Sequence, residues 1–182
     1  RTAAGLGVFA LGGSFTSRMN RLLREEKGYT YGARAWQQSG PTYGLTAAGT
    51  NVFVDQTGPA LADLMGLLKD ASAGIVDAEL DKARSGTRTD AIETAASRSS
   101  LADALTSAMI DGLAPDNALR EMNAAMSADL TTVNAALNDI RVDGALVVVV
   151  GDLAAIGDAV KSAHPGAWMV VDRHGAPVKA TP

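Results

Sequence analysis

The stretch "LGGSFTSRMNRLLREEKGYTYGARAW", residues 11–36, changes its hydrophobic period in the middle. Ahead of Gly28 the apolar Phe15, Met19, Leu22 and Leu23 fall at i, i+4, i+7 and i+8, the single buried stripe of a helix, with Ser14 or Thr16 placed to cap it. Arg18, Arg21 and Arg24 lie toward the other face or the C-terminal end, where a cation meets the negative end of the helix dipole. Gly28 suits the left-handed position that closes a helix, so the helix is expected to stop near Lys27. Beyond it the period drops to two over residues 29–38: Tyr29, Tyr31, Ala33 and Ala35 alternate with Thr30, Gly32, Arg34 and Trp36, the pattern of a strand.

A helix end and a strand start separated by one glycine allow Arg24 and Tyr31 to converge on a common point. A guanidinium and a phenol there would be paired donors for a peptide carbonyl or a developing oxyanion. Taken from physical chemistry alone, a simpler account also covers both: Arg24 offsets the helix dipole, worth about 0.3–1 kcal/mol, and Tyr31 packs in the sheet.

Outward from this stretch, Ser39-Gly40-Pro41 punctuates and residues 42–50, "TYGLTAAGT", are extended again, which predicts a β-hairpin. Helical periodicity returns after Pro59 with Leu61, Leu64, Met65 and Leu68. Residues 77–109 are Ala-rich and polar, one long helix or two, weakened at Gly86. Leu119, Met122 and Met126 mark a further helix, and Leu130, Val133, Leu137 and Ile140 the next, with Ser127 a plausible cap between them. "ALVVVV", residues 145–150, reads as a buried strand, followed by a Gly151-Asp152 turn, a short helix to about Ser162, His-Pro-Gly punctuation, a strand at "WMVVD" and a loose tail, "HGAPVKATP". The order helix, hairpin, helices, strand, helix, strand indicates an α+β domain.

At 182 residues the chain fits a single domain spanning residues 1–182 with one core, and 4% aromatic content means that core is built from Ala, Leu, Val, Ile and Met. A net charge of −4 with scattered Lys and Arg leaves no electrostatic footprint for nucleic acid or an anionic membrane. No run approaches the roughly 20 apolar residues of a membrane span. The chain opens at Arg1 without Met, inside an apolar helix tail rather than a signal peptide, which reads as a cut edge.

The inventory for a self-contained active site is short. There is no Cys, and His164 and His174 stand alone in turns with no HExxH or inverted HxxEH around them, so neither a zinc site nor a Ser-His-Asp or Cys-His nucleophile is expected within the chain. "VVVVGDLAAIG" carries two glycines where a dinucleotide fingerprint needs three, and reads as strand-to-helix packing. "LGGSFTSR" lacks the Gly-Lys-Ser/Thr ending of a phosphate-binding loop.

Residues 11–36 carry two elements in order: LGG-x-x-x-SR-L/M, with Gly12, Gly13, Ser17, Arg18 and Met19, and LRE-x-x-G-x-x-Y, with Leu23, Arg24, Glu25, Gly28 and Tyr31. In these the chain resembles the C-terminal domain of the M16 (pitrilysin, insulinase and mitochondrial processing peptidase) family, and the likeness extends more loosely from Leu11 to about Ser162. The resemblance implies an α+β metallohydrolase domain, a mostly antiparallel sheet with helices packed on one face, here missing the strands that precede the LGG element in the family. It further implies the substrate-binding half of a zinc metallopeptidase. The Zn2+ would be held by HxxEH in an N-terminal M16 domain or a catalytic partner subunit outside this chain, and Arg24 and Tyr31 would be the substrate-binding pair that grips the peptide near the scissile bond. On that basis this chain alone should cleave nothing, and the periplasm is expected ahead of the cytoplasm. A non-catalytic structural or partner subunit of the same fold, like the core subunits of respiratory complexes, is the alternative.

Overall fold

A computed structural model of the chain describes residues 2–40 and 43–178. Helix α1 (Thr2–Val8) runs into a π-helix at Phe9–Gly13, and a second π-helix, Asn20–Glu26, leads to strands β1 (Ala33–Gly40) and β2 (Tyr43–Thr50). A 3-10 turn at Val54–Gln56 then opens α2 (Thr57–Asp70), followed by α3 (Asp77–Ala96), α4 (Arg98–Ile110), α5 (Asn117–Ser127), α6 (Leu130–Asn138) and α7 (Leu153–Ala163). The fold is α+β, with the expected hairpin as a two-stranded antiparallel sheet in which Ala33 faces Thr50 and Gly40 faces Tyr43. Pro41 and Thr42, part of the expected connection, lie outside the described residues.

Two clusters make the core. One gathers Leu6, Leu11, Ile75, Leu80, Val133 and Leu137 between α1, α3 and α6; the other sets Val8, Met19 and Leu23 against Ala33 and Ala35 of β1. No aromatic ring is among the fully buried side chains of the described residues, as the composition predicts. Close approach replaces bulk: a Cβ at Gly12 would overlap the backbone nitrogen of Ala35, and one at Gly7 would overlap the side chain of Leu137. Gly12 of the LGG element is therefore small because the helix that carries it lies directly on β1.

Several boundaries differ from the sequence reading, each for a local reason. The strand begins at Ala33, not at Tyr29, because residues 29–32 are taken up by a turn tied to the end of β2. The break in residues 77–109 is at Ser97, whose hydroxyl accepts the Ser100 N–H as an N-cap, whereas α3 passes unbroken through Gly86. Gly86 is needed because the ring of Phe9 occupies the place of its missing side chain. Asp129, rather than Ser127, caps α6, its carboxylate accepting the Thr132 N–H at 2.7 Å; the Ser127 hydroxyl donates back to Asn123 within α5. The Asp152 carboxylate caps α7 at the expected Gly151-Asp152 turn.

Residues 145–150 depart furthest from expectation. They join no strand ladder, and Leu146, Val148 and Val150 are 89%, 72% and 93% exposed. The run has strand propensity but pairs with no edge among the described residues. A cleft of about 1150 Å³, lined also by β2 and α2, separates it from the hairpin. The expected strand at "WMVVD" is reduced to one bridge, Val171 with Pro177, and part of the expected loose tail folds back there: Asp172 N–H donates to the Ala176 carbonyl and Val178 N–H to that of Val170. Residues 179–182 lie outside the described residues.

Arg18, of the SR pair, fixes α3 to the helix that enters the sheet. Its Nε and Nη2 donate to the two carboxylate oxygens of Glu79, each at 2.6 Å, and Nη2 also reaches the Gly74 carbonyl at 2.9 Å. The hydrogen-bonded guanidinium holds the Glu79 carboxyl below its ordinary value, against the upward pull of partial burial and helped by the Val76 N–H. A carboxylate depressed on folding stabilises fully above its unfolded value, about 4.3, and loses that contribution as pH falls through the lower folded value. Glu79→Gln is accordingly expected to cost about 1–3 kcal/mol at pH 7, with the gap to wild type closing below about pH 4, as read by urea unfolding across a pH series.

Candidate functional site

The stretch that carries Arg24 and Tyr31 is held at both ends by buried polar side chains. After the first π-helix the chain turns at Ser14, with Ser17 N–H donating to the Ser14 carbonyl at 3.1 Å. Asn20, 4% exposed, sits at the start of the second π-helix, where its amide group addresses two elements at once. Its Nδ2 donates to the carbonyls of Ala33 at 2.9 Å and Ser14 at 3.0 Å, while its Oδ1 accepts the Ala33 N–H at 2.9 Å. The side chain thus pairs with the first residue of β1 as a neighbouring strand would.

Thr30 does the equivalent work at the far end. Its buried hydroxyl donates to the Asn51 carbonyl at 2.5 Å and accepts the Gly32 N–H at 3.0 Å, fastening residues 30–32 to the exit of β2. The Phe53 N–H adds a bond to the Tyr29 carbonyl at 3.2 Å.

Between these two anchors the helix closes as Gly28 predicts. Gly28 has φ 66°, Lys27 N–H donates to the Leu22 carbonyl at 3.0 Å, and Tyr29 N–H donates to that of Leu23 at 2.8 Å. The bond to a carbonyl five residues back is the wider π repeat. It keeps Met19 and Leu23 fully buried and leaves Arg24 at the edge of the packed face.

Phe15, expected in the buried stripe, is 62% exposed, because it belongs to the turn ahead of the helix and not to the helix. The Arg24 guanidinium lies over its ring, Cζ 3.9 Å from the centroid, with the Glu25 carboxylate a further 3.8 Å contact. Tyr31, expected to alternate with Ala33 and Ala35 on a strand face, is 85% exposed and meets Phe53 edge to face, centroids 5.9 Å apart at 66°. Each of the two candidate residues therefore stands at the surface against its own phenylalanine.

Asn20, Thr30 and Phe53 were not singled out by the sequence, and Phe15 only as part of the helical stripe. Asn20 leaves a trace, an amide next to Met19 in a helix that Asn disfavours; the other three carry no signal that separates them from ordinary helix, strand and loop residues. His164 and His174 are exposed near the C-terminus, and among the described residues no group of three or more His, Cys, Asp or Glu side chains is placed to hold a metal ion. The residues present thus do not fit a zinc centre, and no helix is long and apolar enough to cross a membrane among those described.

No protein-family model matches the chain, and no curated protein matches it. Solved structures do. The M16 peptidase inactive domain from Pseudomonas fluorescens superposes with a TM-score of 0.69 at 23% identity over 78% of this chain and 34% of that one. The inactive peptidase domain of a candidate zinc protease from Bordetella parapertussis gives 0.66 at 22% identity over 75% of this chain and 73% of its own. A protease from Helicobacter pylori gives 0.61 at 18% identity over 76% of this chain and 33% of its own. The matched region thus spans about a third of the Pseudomonas chain. The fold is the one these structures share, that of the M16 peptidase inactive domain.

Asn20 links the turn, the helix and the strand through one side chain, so its removal leaves both polar groups of Ala33 buried without partners. Asn20→Ala is expected to lower stability by about 2–3 kcal/mol, measured by chemical denaturation, with the transition remaining a single cooperative step.

Proposed function

We propose that this chain is the substrate-binding, non-zinc-binding half of an M16-like zinc metallopeptidase, with Arg24 and Tyr31 gripping the peptide backbone near the scissile bond. The observation that carries this reading is the division of labour within residues 11–36. Gly12 permits the contact with β1, Arg18 binds Glu79, Met19 and Leu23 fill the core, and Gly28 supplies the left-handed turn. Arg24 and Glu25, with side chains 32% and 51% exposed, and Tyr31, 85% exposed, are the motif's large side chains turned toward solvent.

Lying over the Phe15 ring beside the Glu25 carboxylate, the Arg24 guanidinium keeps donors in its own plane that can reach a peptide carbonyl. The Tyr31 hydroxyl, on an exposed ring, is a neutral donor suited to a carbonyl oxygen whose charge grows as the bond is attacked. Zinc, when bound in the other half, would polarise that carbonyl and activate the attacking water. The contribution of this chain is to fix the extended peptide against that centre. The partner is then an N-terminal M16 domain or a catalytic subunit carrying HxxEH, and the periplasm is the favoured compartment.

A structural subunit of the same fold would keep the braces and have no use for the pair. In the full-length protein assembled with its zinc-bearing half, Arg24→Ala and Tyr31→Phe are each expected to lower kcat/KM for peptide cleavage by roughly 10²–10³, while circular dichroism and zinc content stay at wild type. Peptide turnover unmoved by both substitutions would assign the chain to the structural class.

A further inference from the structure

The phenylalanines of this chain divide between the core and the stretch that carries Arg24 and Tyr31. It has three phenylalanines; Phe9 packs at the first core cluster, while Phe15 and Phe53 stand at the surface, one beneath Arg24 and one beside Tyr31. Burial does not account for either, since Phe15 is 62% and Phe53 is 49% exposed. Both are held by backbone hydrogen bonds belonging to the site. The turn that carries Phe15 is closed from Ser17 to Ser14 and tied down by Asn20 Nδ2 on the Ser14 carbonyl. Phe53 donates its N–H to the Tyr29 carbonyl, and its own carbonyl accepts from Gln56 at the start of the 3-10 turn.

We propose that Phe15 and Phe53 are positioning residues, Phe15 holding the guanidinium of Arg24 flat and Phe53 fixing the ring of Tyr31, so that both donors are aimed before a peptide arrives. The inference rests on the peptide-binding reading above. An arginine at a surface has many rotamers of similar energy, and ordering one on binding subtracts from affinity. The face of an aromatic ring selects the rotamers that lay the guanidinium over it and leaves the in-plane N–H groups pointing sideways. Edge-to-face packing likewise favours one plane for the Tyr31 ring and hence one direction for its hydroxyl.

Two consequences separate this from ordinary apolar packing. A π face is required under Arg24, so Phe15→Leu is expected to fail where Phe15→Trp succeeds. The kinetic effects also differ: Arg24 grips the backbone in ground and transition states alike, whereas Tyr31 answers charge that grows only during reaction. In the full-length assembled enzyme, Phe15→Leu should raise KM by about 3- to 10-fold with kcat held, and Phe53→Leu should lower kcat by about 3- to 10-fold with KM held. Phe15→Trp should keep KM at the wild-type value. Proton NMR of the same variants should show the upfield ring-current shift of the Arg24 side-chain protons in wild type and Phe15→Trp, and its loss in Phe15→Leu.

Equal KM in wild type and Phe15→Leu, or equal loss in Phe15→Leu and Phe15→Trp, would overturn the inference while Arg24→Ala and Tyr31→Phe still impair turnover. Silence of Arg24→Ala and Tyr31→Phe would instead remove the peptide-binding reading, and this inference with it.

Discussion

One buried amide organises the end of this molecule that carries Arg24 and Tyr31. The side chain of Asn20 offers a donor and an acceptor to the backbone of Ala33 and extends its second N–H to the Ser14 carbonyl, so the turn, the helix and the first strand share a single brace. A backbone pair in this position would be ordinary sheet structure. Supplied by a side chain, it lets a helix take the place of a strand at the edge of β1 and obliges that helix to run at a fixed height above the sheet. Arg24 lies one turn beyond the amide, and Tyr31 two residues ahead of Ala33. Their separation is consequently set by hydrogen bonds on either side and not by the flexibility of the Gly28 turn between them. Because the amide is buried, loss of any of these bonds leaves a polar group without a partner and lowers stability.

Small side chains make that arrangement possible. With no aromatic residue fully buried among those described, the second core cluster is only Val8, Met19, Leu23, Ala33 and Ala35, and the layers approach closely enough that Gly12 has no room for a methyl group. Aromatic residues appear at the surface instead, where Phe15 lies beneath Arg24 and Phe53 beside Tyr31. Composition and site are thus two aspects of one choice: a thin alanine- and leucine-rich interior below, and rings kept for the lip above.

Much of this was legible in residues 11–36. The switch from a helical to an alternating period, the glycine that takes φ 66°, the hairpin and the likeness to M16 domains all follow from residue spacing and motif order. The π repeat was not, because an i, i+4 pattern is compatible with a helix of either width until Met19 and Leu23 find the sheet they pack on. Phe15 falls in register with the helical stripe and is nevertheless exposed, because the turn that interrupts that register, closed by the Ser17 to Ser14 bond, leaves no mark on the hydrophobic period. Tyr31 misled in the same way: the alternation that begins at Tyr29 is real from Ala33 onward, but Thr30 diverts the first four residues into a turn by bonding across to Asn51. Side-chain to backbone bonds between residues distant in sequence are the information that a one-dimensional pattern does not hold.

The segment "ALVVVV" has a bearing on the handling of this polypeptide. Six consecutive apolar residues, four of them valines, with no charge and no proline, stand open across a cleft from the two-stranded hairpin. Such a run is a template for its own kind: at high concentration, one molecule's valines can zip against another's, and the product is fibrillar rather than soluble. The feature that leaves the cleft open is therefore also the one that makes crowding hazardous, and a lysine in place of Val148 would guard against it at little cost to a side chain that touches so little.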